Sequence, residues 1–302
     1  MAKKVLLSTL LTTIIINAFT PLGYINSIRE KSGAKKLTYD ATLAKAAKKH
    51  ATYVYKNSEY SHYENSSSLA YFAPTPWSRI VKAGFKTKVV VENISFFNSS
   101  YKASIEQLMA TVYHRLAFLY LKIDSIGYAN VAKMYVYDMS NSKIARICSK
   151  HYKNAPMIID NICPNESDIV PQRKFNIAMN SLLIGAKKII IYPYSNQNNV
   201  PTKGVEEVPK FLYQNFGYPI TATFNSYYYR KVRLISFKLF KDGKEVPTKV
   251  VSNTNDINNK IRKGTYVLVP LNYLKHNSKY SVVLKADANG KKVVKKWSFT
   301  TR

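Results

Sequence analysis

Acidic side chains are in short supply in this chain: 17 Asp and Glu stand against 46 Lys and Arg in 302 residues, a formal net charge of +29. A field of that sign draws in polyanions such as anionic lipid head groups, polysaccharide, cell-wall polymers or nucleic acid, and it weakens with salt. The lysines are spread along the chain, as Lys35-Lys36, Lys48-Lys49, Lys187-Lys188, Lys291-Lys292 and Lys295-Lys296. With no single basic arm, a solvated basic surface is expected and no specific nucleic-acid partner.

Cysteine is nearly absent, which excludes a zinc ribbon and a multiply bridged scaffold. Cys148 and Cys163 are expected to close one modest loop as a structural disulfide, with a catalytic thiol as the alternative. Long apolar runs are missing as well. The longest, Val5 to Phe19, falls short of the roughly 20 residues that span a bilayer. Preceded by Lys3 and Lys4 and closed by Ile16-Asn17-Ala18, it reads as a secretory signal over residues 1–18. The expectation is an exported protein, periplasmic or extracellular, with no transmembrane segment after signal removal; an uncleaved anchor is the alternative. Also lacking are a Ser-His-Asp order, a glycine-rich phosphate loop and a His-Glu-x-x-His pair on one helix, which weakens the common enzyme classes.

What is present divides near residue 200. Tyr24, Ile25 and Ile28 predict a helix that stops at Gly33. Asp40 should cap a second, with Leu43, Ala46, Ala47, His50, Ala51 and Val54 on one face. Thr75-Pro76 starts a third that runs to Gly84, and Ile105, Leu108, Met109 and Val112 mark a fourth. Met134–Met139 and Lys188–Tyr192 read as strands. Residues 196–215 are polar, with Pro201, Gly204 and Pro209, and read as a connector. Beyond it the pattern is all strand, with hairpin turns at Asp242-Gly243 and Asn289-Gly290, so residues 216–302 are expected to form a β-sandwich.

Three polar motifs stand out in the first part: Ser61-His62-Tyr63-Glu64, Val91-Glu92-Asn93 and Tyr113-His114-Arg115. With Asp40, the Gly84 stop and Gly127, their order resembles the CAP superfamily (cysteine-rich secretory proteins, antigen 5 and pathogenesis-related 1 proteins), and most of all its bacterial SCP-like extracellular branch. The resemblance covers roughly residues 20 to 195. It implies an α-β-α sandwich, here within an α+β chain whose C-terminal part looks like a bacterial Ig-like or fibronectin-like module. It also implies a cleft holding two His and two acidic residues, which in some members binds Zn2+ or another divalent ion. Carried over by position, His62, Glu92 and His114 are the cleft and metal residues. Val91 stands in place of the usual Gly and Thr111 in place of a second Glu, with Glu64 and Glu106 as substitute acids.

Helical geometry adds a condition. A helix running unbroken from Ile105 would put His114 opposite its apolar face, so it must end before His114 if that side chain is to reach a cleft. His50 reads as a satisfied core histidine, Trp77 as a helix-face core residue and Trp297 as part of the sandwich. Tyr227-Tyr228-Tyr229-Arg230-Lys231 reads as strand packing, or else as a surface that stacks sugars, bases or an acyl chain. The function expected is a non-catalytic binder that holds a polar ligand or metal in the cleft and associates with anionic envelope components. A metal-assisted hydrolase of peptide or envelope polymer is the first rival, and an extracellular polyanion binder the second.

Overall fold

The computed structural model describes residues 19–150, 152, 154–212 and 215–302, and the expected signal segment lies outside them. Helix α1 (Pro21–Ser32) ends at Gly33 in the left-handed conformation. After β1 (Thr38–Tyr39), Asp40 accepts from the Thr42 and Leu43 amides and starts α2 (Ala41–Asn57). All six side chains of its expected apolar face are buried. Helix α3 (Pro76–Ala83) begins in a reciprocal Thr75–Ser78 cap and stops at Gly84. Trp77, expected in the core of that helix, is instead 42% exposed, with the Lys88 ammonium 5.1 Å from its ring centre.

Strand β2 (Val90–Phe96), α4 (Tyr101–Ala110), α5 (Tyr113–Phe118), β3 (Ser125–Val131) and β4 (Met134–Ser140) complete the first unit. Its sheet runs β1-β3-β4-β2. Alternation along β4 sorts the two faces. Met134 and Val136 pack with Ile94 under α2, whereas Tyr135, Tyr137 and Met139 join α1, α4 and α5. Helices therefore cover both faces, the α-β-α arrangement expected. Gly127 sits where α2 crosses the sheet; a Cβ there would lie 2.0 Å from Ala44 N and 2.2 Å from the Leu43 carbonyl carbon.

Helix α6 (Ser142–Cys148), the short strands β5 (Ile158–Ile159) and β6 (Val170–Pro171) and α7 (Gln172–Leu183) follow. Cys148 and Cys163 are disulfide-bonded, Cα to Cα 5.3 Å, in a small core with Ile144, Val170 and Ala178.

The second unit begins earlier than the sequence suggests. Strand β7 (Ile189–Tyr192), placed by the sequence reading in the first unit, pairs with β9 (Ile220–Phe224). Strand β8 (Gln197–Val200), read as connector, runs parallel to the last strand, β15 (Lys291–Thr301). Between them come β10 (Val232–Lys241), β11 (Lys244–Val246), β12 (Thr248–Ser252), β13 (Thr265–Pro270) and β14 (Lys279–Ala288). The sheets read β12-β13-β9-β7 and β11-β10-β14-β15-β8. Asp242-Gly243 and Asn289-Gly290 all have positive φ, as their hairpin turns require. Trp297 is buried and donates to Pro193 O at 3.0 Å. One apolar cluster joins α1, α4 and β4 to β7, β9, β10, β14 and β15, so the two units share a core.

Candidate functional site

Glu92 lies on the edge strand β2 and faces α3. Its cross-strand neighbour is Asp138, whose neighbour in turn is Gly127. Having no side chain at Gly127 lets α2 come down onto this row, and the carboxyl groups are sealed beneath the helices. Arg79, fully buried on α3, donates from Nη2 to Glu92 Oε1 and Oε2 at 3.0 and 2.8 Å and to His62 O at 2.9 Å. The His62 Nδ1 is 2.8 Å from Glu92 Oε1, and the imidazole remains 41% exposed while Glu92 is 2% exposed. A buried carboxylate thus orients a half-open histidine.

The electrostatics separate the two acids. Burial alone would raise the Glu92 carboxyl, but His50, Arg79 and His62 outweigh it and hold it at about 2. Asp138 goes the other way. Burial, then the neighbouring Glu92 charge, push it well above the usual carboxylate range against the pull of Arg79. Neither of its oxygens has a hydrogen-bond partner among the described residues, so nothing offsets the cost that burial places on the charged form.

Glu64 is consumed structurally. One oxygen lies 2.8 Å from His50 Nδ1, and the other accepts from the Phe72 and Ala73 amides at 2.7 and 3.2 Å. His50 Nε2 meets Ser61 O at 2.9 Å, so the core reading of this histidine holds. Glu106 is elsewhere, accepting from Tyr24 Oη at 2.9 Å.

His114 is not brought to Glu92. Helix α4 does end at Ala110, with Thr111 extended, as the helical argument requires. The restarted helix α5, however, lies against the opposite face of β2, where Asn93 Nδ2 donates to His114 O at 2.9 Å. Adjacent strand residues point to opposite faces, and this separates Glu92 from His114. His114 Nδ1 lies 3.0 Å from Thr111 Oγ1 and 3.2 Å from Glu207 Oε2. The buried Glu207 also accepts from the Val112 and Tyr113 amides at 2.7 and 2.9 Å, capping α5 from the connector.

The rest of the Tyr113-His114-Arg115 motif points the same way. Tyr113 Oη bonds Asp256 and accepts from Asn258 Nδ2 at 2.9 Å. The fully buried Arg115 donates to Met109 O at 2.7 Å and to Pro219 O. Its guanidinium lies 4.9 and 4.7 Å from the ring centres of Tyr192 and Tyr218. Expected to supply a cleft ligand, the motif instead latches the two units together.

A divalent ion does not fit these residues. Among the described residues no three His, Cys, Asp or Glu side chains converge as a metal-holding set. Both Glu92 oxygens already face a fixed cation, Arg79.

Sequence reasoning missed Arg79, Asp138 and Glu207. Asp138 was within reach, since it shares the strand parity of Met134 and Val136 and so lies on a buried face. The Arg79 and Glu207 pairings carry no local signal.

Cavities open elsewhere. One, of about 590 Å3, runs along the outer face of α2 between Lys45, Lys48 and Lys49 and the rings of Tyr39, Tyr71, Phe72 and Tyr128, with no acidic residue in its lining. No helix among the described residues is long and apolar enough to cross a membrane.

No curated protein matches the chain. Among solved structures, an extracellular protein containing an SCP domain from Bacillus anthracis is 20% identical with a TM-score of 0.37, over 40% of this chain and 38% of that one. An outer surface protein of Borrelia burgdorferi is 22% identical with a TM-score of 0.34, over 39% of this chain and 87% of that one. The family model of the cysteine-rich secretory protein family, CAP, matches residues 22–131. That span runs from α1 through β3 and includes His62, Glu92 and His114, so it is over this stretch that the chain is similar to the CAP family.

Proposed function

We propose that this protein is an exported, non-catalytic binder of anionic glycopolymers of the cell envelope, and that the groove along α2 receives them. The observation that carries the reading is the lining of that groove. Lys45, Lys48 and Lys49 supply positive charge, none of them in an ion pair among the described residues. Tyr39, Tyr71, Phe72 and Tyr128 supply flat faces on which sugar rings can lie. At about 590 Å3 the groove is in the size range of ligand sites. The overall charge of +29 adds long-range attraction.

The His62–Glu92–Arg79 cluster supports the same class of function. The half-exposed imidazole, oriented from behind, offers one polar contact to a ligand. Among the described residues no hydroxyl or thiol is bonded to it, and Asp138, the other acid of the row, is buried. The second unit, whose two sheets have the strand order of an immunoglobulin sandwich, is proposed to be an Ig-like module.

The test compares dextran sulfate with neutral dextran by calorimetry, at two salt concentrations. The triple variant Lys45→Ala/Lys48→Ala/Lys49→Ala is set beside Lys291→Ala/Lys292→Ala/Lys295→Ala, which removes the same charge from the other unit. Loss of at least tenfold in the first variant only is expected. Equal losses in both would reduce the interaction to diffuse charge and sink the groove as a site.

A further inference from the structure

A second cavity, of about 260 Å3, lies between the two units. Its floor is apolar: Leu119 and Leu121 come from the CAP side, and Leu183 and Phe224 from α7 and β9, all buried. All of its charged lining residues are basic, set beside Tyr120, Thr223, Ser226 and Thr265. Lys122 rises from the first unit, and Lys260, Arg262 and Lys263 from the second. No acidic side chain lines it, and none of the four cations forms an ion pair among the described residues. Arg262 reaches across the junction and stacks on Tyr120, 3.8 Å from the ring centre. The adjoining cavity shares Phe224, Ser226 and Lys263 and adds Tyr229, Arg230 and Arg233. It draws in part of the Tyr227–Lys231 run, which forms the turn between β9 and β10 and not a strand.

We propose that this inter-unit pocket binds a single-chain anionic amphiphile, its acyl segment on the leucine floor and its phosphate or carboxylate head among Lys122, Arg262 and Lys263. An apolar floor under unpaired cations suits a ligand that is apolar at one end and negative at the other. A neutral apolar molecule would leave the cations unmatched, and a bare anion would leave the floor wet. The size limits the tail. About 260 Å3 is the room of roughly nine water molecules at ~30 Å3 each, enough for part of one chain and too little for a two-chain lipid. Lys122, Lys260, Arg262 and Lys263 crowd positive charge at one opening, and burial and then the Arg262 charge lower the Lys122 ammonium. The site is separate from the α2 groove and does not depend on it.

Octyl, decyl and dodecyl phosphate, each below its micelle concentration, would be titrated into the full chain by calorimetry. Dodecyltrimethylammonium, dodecyl maltoside and inorganic phosphate serve as comparisons. Affinity for the alkyl phosphates should rise about fourfold per methylene until the cavity is full, while the three comparison ligands bind at least tenfold more weakly. Arg262→Ala should cost about tenfold. Ser226→Trp, at an exposed lining position, should block the tail and abolish the chain-length dependence. The triple lysine variant of the α2 groove should bind dodecyl phosphate unchanged. Equal affinity for the cationic and neutral detergents would overturn the proposal, as would indifference to both pocket variants in protein shown folded by circular dichroism.

Discussion

The carboxylate of Glu207 lies 3.2 Å from Nδ1 of His114, and with the same two oxygens it caps the first amides of α5. A histidine that resembles a cleft ligand is thereby committed to joining two units. Glu207→Ala should leave two buried amides and the imidazole unmatched and cost about 2–3 kcal/mol, read from urea unfolding. Glu207→Gln keeps the shape and loses the charge, and should recover part of that loss.

Arg115→Ala should cost more, about 3 kcal/mol or above, because two hydrogen bonds and contacts to two rings vanish from a dry site. Calorimetry would show whether the single unfolding transition expected of a shared core splits in two. A loss under 1 kcal/mol would mean that the latch is unimportant.

Glu92 and Asp138 should give opposite pH limbs. Glu92 titrates at about 2 in the folded chain against an ordinary value of 4.5. Its contribution is complete above pH 4.5 and is lost as the pH falls toward 2. Asp138, raised well above 3.8, makes folding less favourable as pH climbs from 3.8 toward its folded value. Asp138→Asn should therefore flatten the neutral limb and raise stability at pH 8 more than at pH 4. Glu92→Gln should flatten the acid limb, lowering stability by about 3–5 kcal/mol above pH 4.5 and by progressively less as the pH falls toward 2, since it leaves Arg79 buried with its partner uncharged.

Gly127→Ala would drive a methyl group into the backbone of Leu43 and Ala44, atoms that cannot swing aside. Displacement of α2, with a loss at or beyond the usual ~3 kcal/mol of overpacking, should be visible in the urea midpoint. A wild-type midpoint would mean that the helix does not rest where it is placed.

Reduction of the Cys148–Cys163 bond, which closes a loop across 15 positions, should cost about 3 kcal/mol by loop entropy. Comparing urea curves with and without reductant reads this directly. The Cys148→Ala/Cys163→Ala protein should match the reduced one.

Local signals were readable wherever the chain punctuates itself. Gly33, Asp40, Thr75 and Gly84 mark helix ends whose cap chemistry is contained within a few residues, and each end falls where that chemistry puts it. Hairpins at Asp242-Gly243 and Asn289-Gly290 are legible for the same reason. Strand β2 was not, because Val91-Glu92-Asn93 buries a glutamate and so breaks the alternation that signals a strand. Strand β8 was not legible either. Its Gln-Asn-Asn-Val sequence is that of a loop, and only pairing with β15, about a hundred positions away, makes it a strand. In the site, His62–Glu92 could be reached by motif order, whereas Arg79 and Glu207 are supplied by tertiary packing. Trp77 was misassigned because helical periodicity cannot tell which turn of a short helix is left uncovered.

The Arg115 latch bears finally on where the molecule's folding unit ends. Its carbonyl partner, Pro219, lies 104 positions downstream, and the flanking rings of Tyr192 and Tyr218 belong to the sandwich. Residues 22–131, which match the family model, would as an isolated fragment keep the Met109 carbonyl for this guanidinium but lose both rings and the Pro219 carbonyl. The recognisable module is thus smaller than the autonomous one. Contacts of such sequence separation should slow folding, and stopped-flow refolding of the full chain would read the rate.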